Sequence, residues 1–371
     1  MIALSVFSLG IWLYLFLFHG RFWLSEPELP RRRPTALPSV AVVVPARDEA
    51  EVIGDTLQSL LGQDYAGDLR VILVDDGSSD GTGNIARALA DPRLTVVNGM
   101  PRPTGWSGKL WAVHQGIVAA DSAELIILTD ADIVHDPGHV SALVAQAEAG
   151  RLDMVSEMVR LACDSWAERA LVPAFVFFFQ LLYPFAWVNE PARRTAAAAG
   201  GTILIQRAVM LRIGGIESVR GELIDDVALA RAVKAGGPIW LGHATQARSI
   251  RRYPDAADIW RMITRTAYVQ LRYSPVLLTG TIFGMLVTWL VPPVAALFGD
   301  GVAQVCGLAA WSLLSLSYLP TLRRYGCFWL WAPLLPLVAA FYTAATLAAA
   351  VNHYTGRGVT WKNRVYPTIA A

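Results

Sequence analysis

The sequence predicts an α/β domain built on a parallel sheet, held to a membrane by apolar helices at both ends of the chain. Three observations carry this. Short β-branched runs alternate with helical patterns between residues 40 and 132. Apolar blocks long enough to span a bilayer stand near both termini. The 371 residues are 54% hydrophobic and only 16% charged, too apolar for disorder or for an ordinary soluble protein of this size. That length allows one globular domain plus several membrane segments, and excludes a transporter bundle filling the chain. With 31 basic against 30 acidic residues the net charge is +1, so there is no global electrostatic case for nucleic acid as a partner. Cys163, Cys306 and Cys327 are odd in number and far apart. They form neither a disulfide framework nor a zinc spacing, and the polar part is expected to face a reducing compartment.

In chain order, residues 2–17 are almost wholly apolar and the run extends past His19 and Arg21 to Leu24. Residues 1–24 are therefore expected to be an anchor, at about 20 residues for a ~30 Å hydrocarbon core. A signal peptide is the competing reading, but a basic n-region and a small-residue cleavage site are both lacking. Arg31, Arg32 and Arg33 follow directly, and the positive-inside rule places what comes next in the cytoplasm. The expected location is the inner (cytoplasmic) membrane, multi-pass. The C-terminal region 276–351 holds three more blocks, 276–298, 302–319 and 328–351, with Asp300 and then Arg323 and Arg324 between them. Three spans would put Arg357, Lys362 and Arg364 of the tail 352–371 outside, against the rule, so a re-entrant block around Pro292 and Pro293 stays open. A further apolar run, 171–188, lies inside the polar region. Its aromatics and prolines suit a helix lying in the membrane interface, and a buried core helix is the alternative.

The polar segment, 38–270, opens with a β-branched run at 40–44 that ends at Pro45, a strand buried on both faces. Residues 49–61 follow as a helix with Val52, Ile53, Thr56, Leu57, Leu60 and Leu61 on one face. Strands are expected at 71–74, 94–97 and 125–128, and helices at 82–90 and 109–119. In such sheets ligands bind beyond the carboxyl ends of the strands. Residues 45–49, 75–80 and 130–132 fall there. Their carboxylates would repel one another without a cation or a donor-rich ligand. Asp130 and Asp132 are two apart, so in extended backbone they would point to one side and share a hard cation. No glycine-rich phosphate fingerprint is present, which leaves metal and basic side chains such as Lys109 to hold phosphate. Each piece has a plainer reading alone: 75–81 as a turn, Asp-x-Asp as a solvated pair, Lys109 as a surface cation. His135 and His139 are separated by Pro137 and Gly138, which disfavours a helical metal pair.

The motifs Val42-Val43-Val44-Pro45-Ala46-Arg47-Asp48-Glu49, Val74-Asp75-Asp76-Gly77-Ser78-Ser79-Asp80-Gly81-Thr82, Gly108-Lys109 and Asp130-Ala131-Asp132 keep the order of those of family 2 inverting glycosyltransferases with the GT-A fold, which this sequence resembles. The anchor, the C-terminal blocks and residues 251–273 are most similar to the hopanoid-biosynthesis-associated membrane branch. The resemblance implies a GT-A, Rossmann-like nucleotide-sugar domain. It implies Asp76 on the nucleotide base, Pro45 and Glu49 beside a uridine, Asp130 and Asp132 on ribose and metal (Mg2+ or Mn2+), and Lys109 on the phosphates. Within Leu223-Ile224-Asp225-Asp226-Val227 it implies Asp226 as base, with Asp225 in place of the usual Glu, and helix N-capping is the plainer alternative. Gly200 and Gly201 resemble the acceptor-side loop. The family's downstream Arg-Trp motif survives only as Arg265, a candidate diphosphate clamp, and the loss of the tryptophan argues against a processive synthase. Arg248, Arg251, Arg252, Arg261 and Arg272 form a cationic run suited either to catalysis or to anionic headgroups.

The expected function is transfer of a sugar from a nucleotide-sugar donor, UDP-linked by resemblance, to a lipid acceptor, a hopanoid by branch. A polyprenyl-phosphate sugar transferase and a catalytically silent nucleotide-binding scaffold remain as alternatives.

Overall fold

The computed structural model describes residues 1–222, 224–355, 359–361 and 364–366. The chain forms two compact units, one from Glu26–Ala162 and Phe185–Arg252, the other from Met1–Ser25, Cys163–Pro184 and Tyr253–Ala371.

The first unit is built on eight strands: β1 Val40–Ala46, β2 Leu69–Asp75, β3 Leu94–Asn98, β4 Leu125–Thr129, β5 Ile133–His135, β6 Met154–Arg160, β7 Thr202–Gln206 and β8 Ile239–Ser249. They run in the order β3-β2-β1-β4-β7-β6-β8-β5. β1 pairs in parallel with β2 and β4, and β2 with β3, as the alternation of strand and helix predicts. Beyond β4 the sheet turns mixed, because β7 is antiparallel to both its neighbours, β4 and β6. Alternate residues of β1 go to opposite faces. Val40, Val42 and Val44 join Ile53, Leu57 and Leu60 of the helix Ile53–Leu61, and Leu143 and Val144 of the helix His139–Gly150. Ala41 joins Ile72, Val74 and Ala112 on the other face, under the helix Gly108–Ala119. That helix lies close: a Cβ at Gly116 would stand 2.3 Å from Val43 Cγ1. Every residue of β4 is buried, so its C-terminal Thr129 delivers Asp130 to the edge of a fixed frame.

The second unit is helical. Three helices, Pro275–Phe298, Gly301–Tyr325 and Trp331–Tyr354, are long and apolar enough to cross a membrane. Ile2–Phe18 is a shorter apolar helix of 17 residues. It stops before the expected limit at Leu24, because Gly20 and Arg21 take left-handed backbone (φ 60° and 50°). Pro292 and Pro293 carry no N–H, and the helix passes through them by a π turn at Leu286–Leu290. Carbonyls of that turn are taken up by the N-terminal helix: Ser8 Oγ donates to Val287 O at 2.8 Å and Trp12 Nε1 donates to Thr288 O at 2.7 Å. Such side-chain donors are what makes proline tolerable in an apolar helix.

The unit boundaries differ from the expected 38–270. The helix Ala256–Gln270 joins the helical unit, burying Ile259, Ile263 and Tyr268, with Trp260 edge-on to Phe341 at 5.2 Å. Residues 171–188 are two elements broken at Pro184. The first, Trp166–Leu182, starts with a Ser165–Glu168 capping box and packs Phe177 against Phe22 and Tyr318. The second, Phe185–Asn189, belongs to the sheet unit. Of the tail, Arg357 and Lys362 lie outside the described residues, and 359–361 pairs with 364–366 as an antiparallel hairpin.

Candidate active site

The loops after β1 and β2 are laced together. Asp48, at φ 51°, donates its N–H to Ser78 Oγ (3.0 Å) and accepts from Ser79 N–H (2.8 Å). Glu49 N–H donates to Thr82 Oγ1 at 2.8 Å, and Thr82 Oγ1 in turn donates to Asp80 at 2.6 Å. Asp75 accepts from Ser78 N–H at 3.0 Å. The turn reading therefore holds for Asp75 and Asp80, whose carboxylates serve the loop itself. Asp76 is buried at the end of β2, 3.9 Å from the Arg47 guanidinium.

Asp130 and Asp132 are not in extended backbone, as the shared-cation argument required; Asp-Ala-Asp forms a turn between β4 and β5, with Ala131 buried. The two carboxylates consequently have different partners. Asp130 Oδ1 is 2.8 Å from Lys109 Nζ. Asp132 is buried and accepts from Ser249 Oγ at 3.0 Å and Arg251 Nε at 2.8 Å. The same guanidinium forks onto Glu49, at 2.7 and 2.8 Å. Burial and the charge of Asp130 push the Asp132 carboxyl up, and Arg251 and Ser249 oppose that.

Lys109 is placed by Ser107, which caps the helix Gly108–Ala119 by accepting from Leu110 N–H. Its ammonium also lies 3.7 Å from Asp225. Burial disfavours the charge on Lys109, but Asp130, Asp225 and Asp226 outweigh it and hold its pKa above the usual range. Asp225 and Asp226 open the helix Asp225–Lys234, whose N-cap is Ile224, so neither serves as the cap. Leu223 lies outside the described residues. Asp226 Oδ2 accepts from Gly200 N–H at 2.9 Å and Oδ1 from Val227 N–H at 2.8 Å. Burial first, then the Asp225 charge, push the Asp226 carboxyl up to about 7, against Lys109 and those two amides. Gly200 fits between the charges: a Cβ there would lie 3.4 Å from Asp226 Oδ2 and 3.5 Å from Lys109 Nζ. Gly201 is held as closely, and its Cβ would stand 2.7 Å from Val159.

One pocket is lined by Pro45, Lys109, Asp130, Gly200, Asp225 and Asp226. Asp132 and Glu49 adjoin through Arg251, and Asp76 sits in the neighbouring β1–β2 loop pair. Arg265 belongs to the helical unit, on Ala256–Gln270. Among the described residues no group of three or more His, Cys, Asp or Glu side chains is placed to hold a metal ion. Two carboxylates still suffice for a hard divalent cation that takes its other ligands from phosphate and water. Asp130 and Asp132 would offer two such carboxylates only if their present cationic partners, Lys109 and Arg251, gave way. The sequence assigned Arg47 and Ser249 no role here and left Arg251 between catalysis and anionic headgroups. Their only signals were the arginine run before the first C-terminal apolar block and the Arg-Asp within the first motif.

A mixed α/β sheet of this order is that of a Rossmann-like GT-A domain, accompanied by three apolar C-terminal helices and a short N-terminal one. Residues 41–213 match the family model described as Glycosyl transferase family 2. The chain is 27% identical over 234 residues to the probable glycosyltransferase YdaM of Bacillus subtilis (strain 168), covering 58% of this chain and 52% of that protein. It is 30% identical over 141 residues to the undecaprenyl-phosphate 4-deoxy-4-formamido-L-arabinose transferase of Enterobacter sp. (strain 638), covering 35% and 40%. The chain thus spans about half the length of these curated relatives, or less. Among solved structures, the mannosyltransferase PcManGT of Pyrobaculum calidifontis, in complex with GDP-Man and Mn2+, shares the fold over 95% of this chain and 96% of its own, at a TM-score of 0.58 and 21% identity.

Proposed function

We propose that this chain is a membrane glycosyltransferase that moves one sugar from a nucleotide-sugar donor, UDP-linked, to a lipid acceptor with inversion, its catalytic unit facing the cytoplasm. The observation that carries it is Asp226: a half-buried carboxyl pushed up to about 7, beside Lys109 and Asp130 in a single pocket. Inversion needs a base opposite the leaving group, and a base titrating near the working pH is the effective kind. In this reading Asp226 takes the acceptor's hydroxyl proton, and Asp225 and Lys109 hold its charge environment. Lys109 stands as a point charge for the diphosphate. Asp76, Pro45 and Glu49 line the nucleoside side. Asp130 and Asp132 would hold Mg2+ or Mn2+, a Lewis acid that offsets charge on the departing diphosphate. Gly200 and Gly201 leave room on the acceptor side.

A lipid acceptor is supported by the apolar helices and by the relative whose name carries undecaprenyl phosphate. A hopanoid rests on the resemblance of the sequence to that branch. The same relative favours a second reading, a phosphate acceptor, which needs no strong base. Incubating membranes with labelled UDP-glucose, UDP-GlcNAc and GDP-mannose, then extracting and weighing the lipids, tests donor and acceptor together. Asp226→Asn abolishes labelling of a hydroxyl acceptor and spares that of a phosphate acceptor. Labelled nucleotide that is bound but never transferred would leave the silent scaffold.

A further inference from the structure

Beneath the pocket runs a chain of buried polar side chains that the proposed chemistry does not use. Thr129 Oγ1 donates to Gly201 O at 2.8 Å. That uses its one proton, so it must accept from His135 Nε2, 3.2 Å away. Full burial and the neighbouring His139 hold His135 well below the usual imidazole pKa, hence neutral, with Nδ1 left as an acceptor. The donor to it is His139 Nδ1, at 2.8 Å. His139 Nε2 then faces Glu157 Oε2 at 2.5 Å, with both side chains 0% exposed. One proton lies between them, and whichever group carries it, the direction of every bond from there to Gly201 is fixed. One residue upstream of that carbonyl, Gly200 donates its N–H to Asp226.

We infer that Glu157, His139, His135 and Thr129 form a positioning chain whose one-way hydrogen-bond polarity fixes the Gly201 carbonyl, and through the Gly200–Gly201 backbone sets the Gly200 amide that aims the Asp226 carboxylate. The consequence for turnover rests on the reading of Asp226 as base; the structural part does not. Thr129, His135 and Glu157 are buried on β4, β5 and β6 and His139 at the start of the helix His139–Gly150; buried polar side chains are costly unless satisfied, and satisfied they specify one geometry. Glu157 Oε1 is buried with no hydrogen-bond partner among the described residues, so the carboxyl is held by its His139 contact and not by a wider network.

The test uses full-length protein in nanodiscs and two readouts: hydrogen exchange of the Gly200 amide, which needs no donor, and steady-state transfer with whichever of UDP-glucose, UDP-GlcNAc or GDP-mannose labels lipid. Thr129→Val is nearly isosteric and removes only the hydroxyl. It is expected to speed Gly200 exchange at least about tenfold and to lower kcat about 10- to 100-fold with donor KM unchanged, the cost of a misaimed group. Thr129→Ser restores both. Glu157→Gln is expected to stay near wild type, because its amide donates to neutral His139, whereas Glu157→Leu behaves like Thr129→Val. Wild-type exchange in Thr129→Val, or Glu157→Gln as impaired as Glu157→Leu, overturns the inference. An Asp226→Asn protein that still turns over overturns the base reading instead, and leaves the exchange result standing.

Discussion

Asp226 shows how a residue's surroundings set what it can do. Half-buried beside Asp225, its carboxyl is pushed up to about 7, so turnover is expected to rise with pH through neutrality and level off above, and Asp226→Asn to lose about 10²- to 10⁴-fold. The same shift has a stability sign. A carboxyl whose folded pKa lies above its unfolded one binds its proton more tightly when folded, so its contribution is greatest below the unfolded value and is lost as pH rises toward 7. Asp226→Asn should therefore melt higher than wild type, and by more at pH 8 than at pH 5, as thermal scans in detergent would show. Gly201→Ala drives a methyl to 2.7 Å from Val159 and should cost about 1–3 kcal/mol. Arg251→Ala leaves Asp132 and Glu49 without their shared cation. With Arg251 one-third exposed, a loss of about 1–3 kcal/mol is expected, seen as a lower Tm that Arg251→Lys partly restores. At this scale the motif residues were legible because each stands at a strand end or helix start, where local pattern fixes position. Arg251 was not: its partner Asp132 is 119 residues away, and a run of arginines before an apolar block reads equally well as a headgroup patch.

Elements show a similar division. The strands β1 to β4 could be read as buried β-branched runs, and their parallel pairing follows from the helices between them. β7 could not be placed, since its antiparallel insertion between β4 and β6 depends on partners distant in sequence. Extended geometry for Asp-Ala-Asp failed because β4 ends at Thr129 and β5 begins at Ile133, which leaves three residues to turn. In the helical unit, the π turn before Pro292 depends on donors from Ser8 and Trp12. Ser8→Ala with Trp12→Phe should cost about 1–2 kcal/mol, measured as unfolding in detergent, because the carbonyls they satisfy are left bare.

For the molecule as a whole, hydropathy located the apolar helices but set the polar boundary at 270, past the amphipathic helix Ala256–Gln270. That helix joins the helical unit because its buried stripe is apolar, although its average is not. Composition and motif order were enough for an α/β domain on a membrane, and the unit boundaries required the packing. Sugar transfer to lipid with Asp226 as base can be tested by following label from donor to lipid. The most direct measurement incubates membranes bearing wild type or Asp226→Asn with labelled UDP-glucose, UDP-GlcNAc and GDP-mannose and divalent cation, then extracts and weighs the lipids. The account predicts one donor labelling a lipid hydroxyl in wild type, with chelation and Asp226→Asn each removing the label. Equal labelling by both proteins, or no lipid labelled by any of the three, would contradict it.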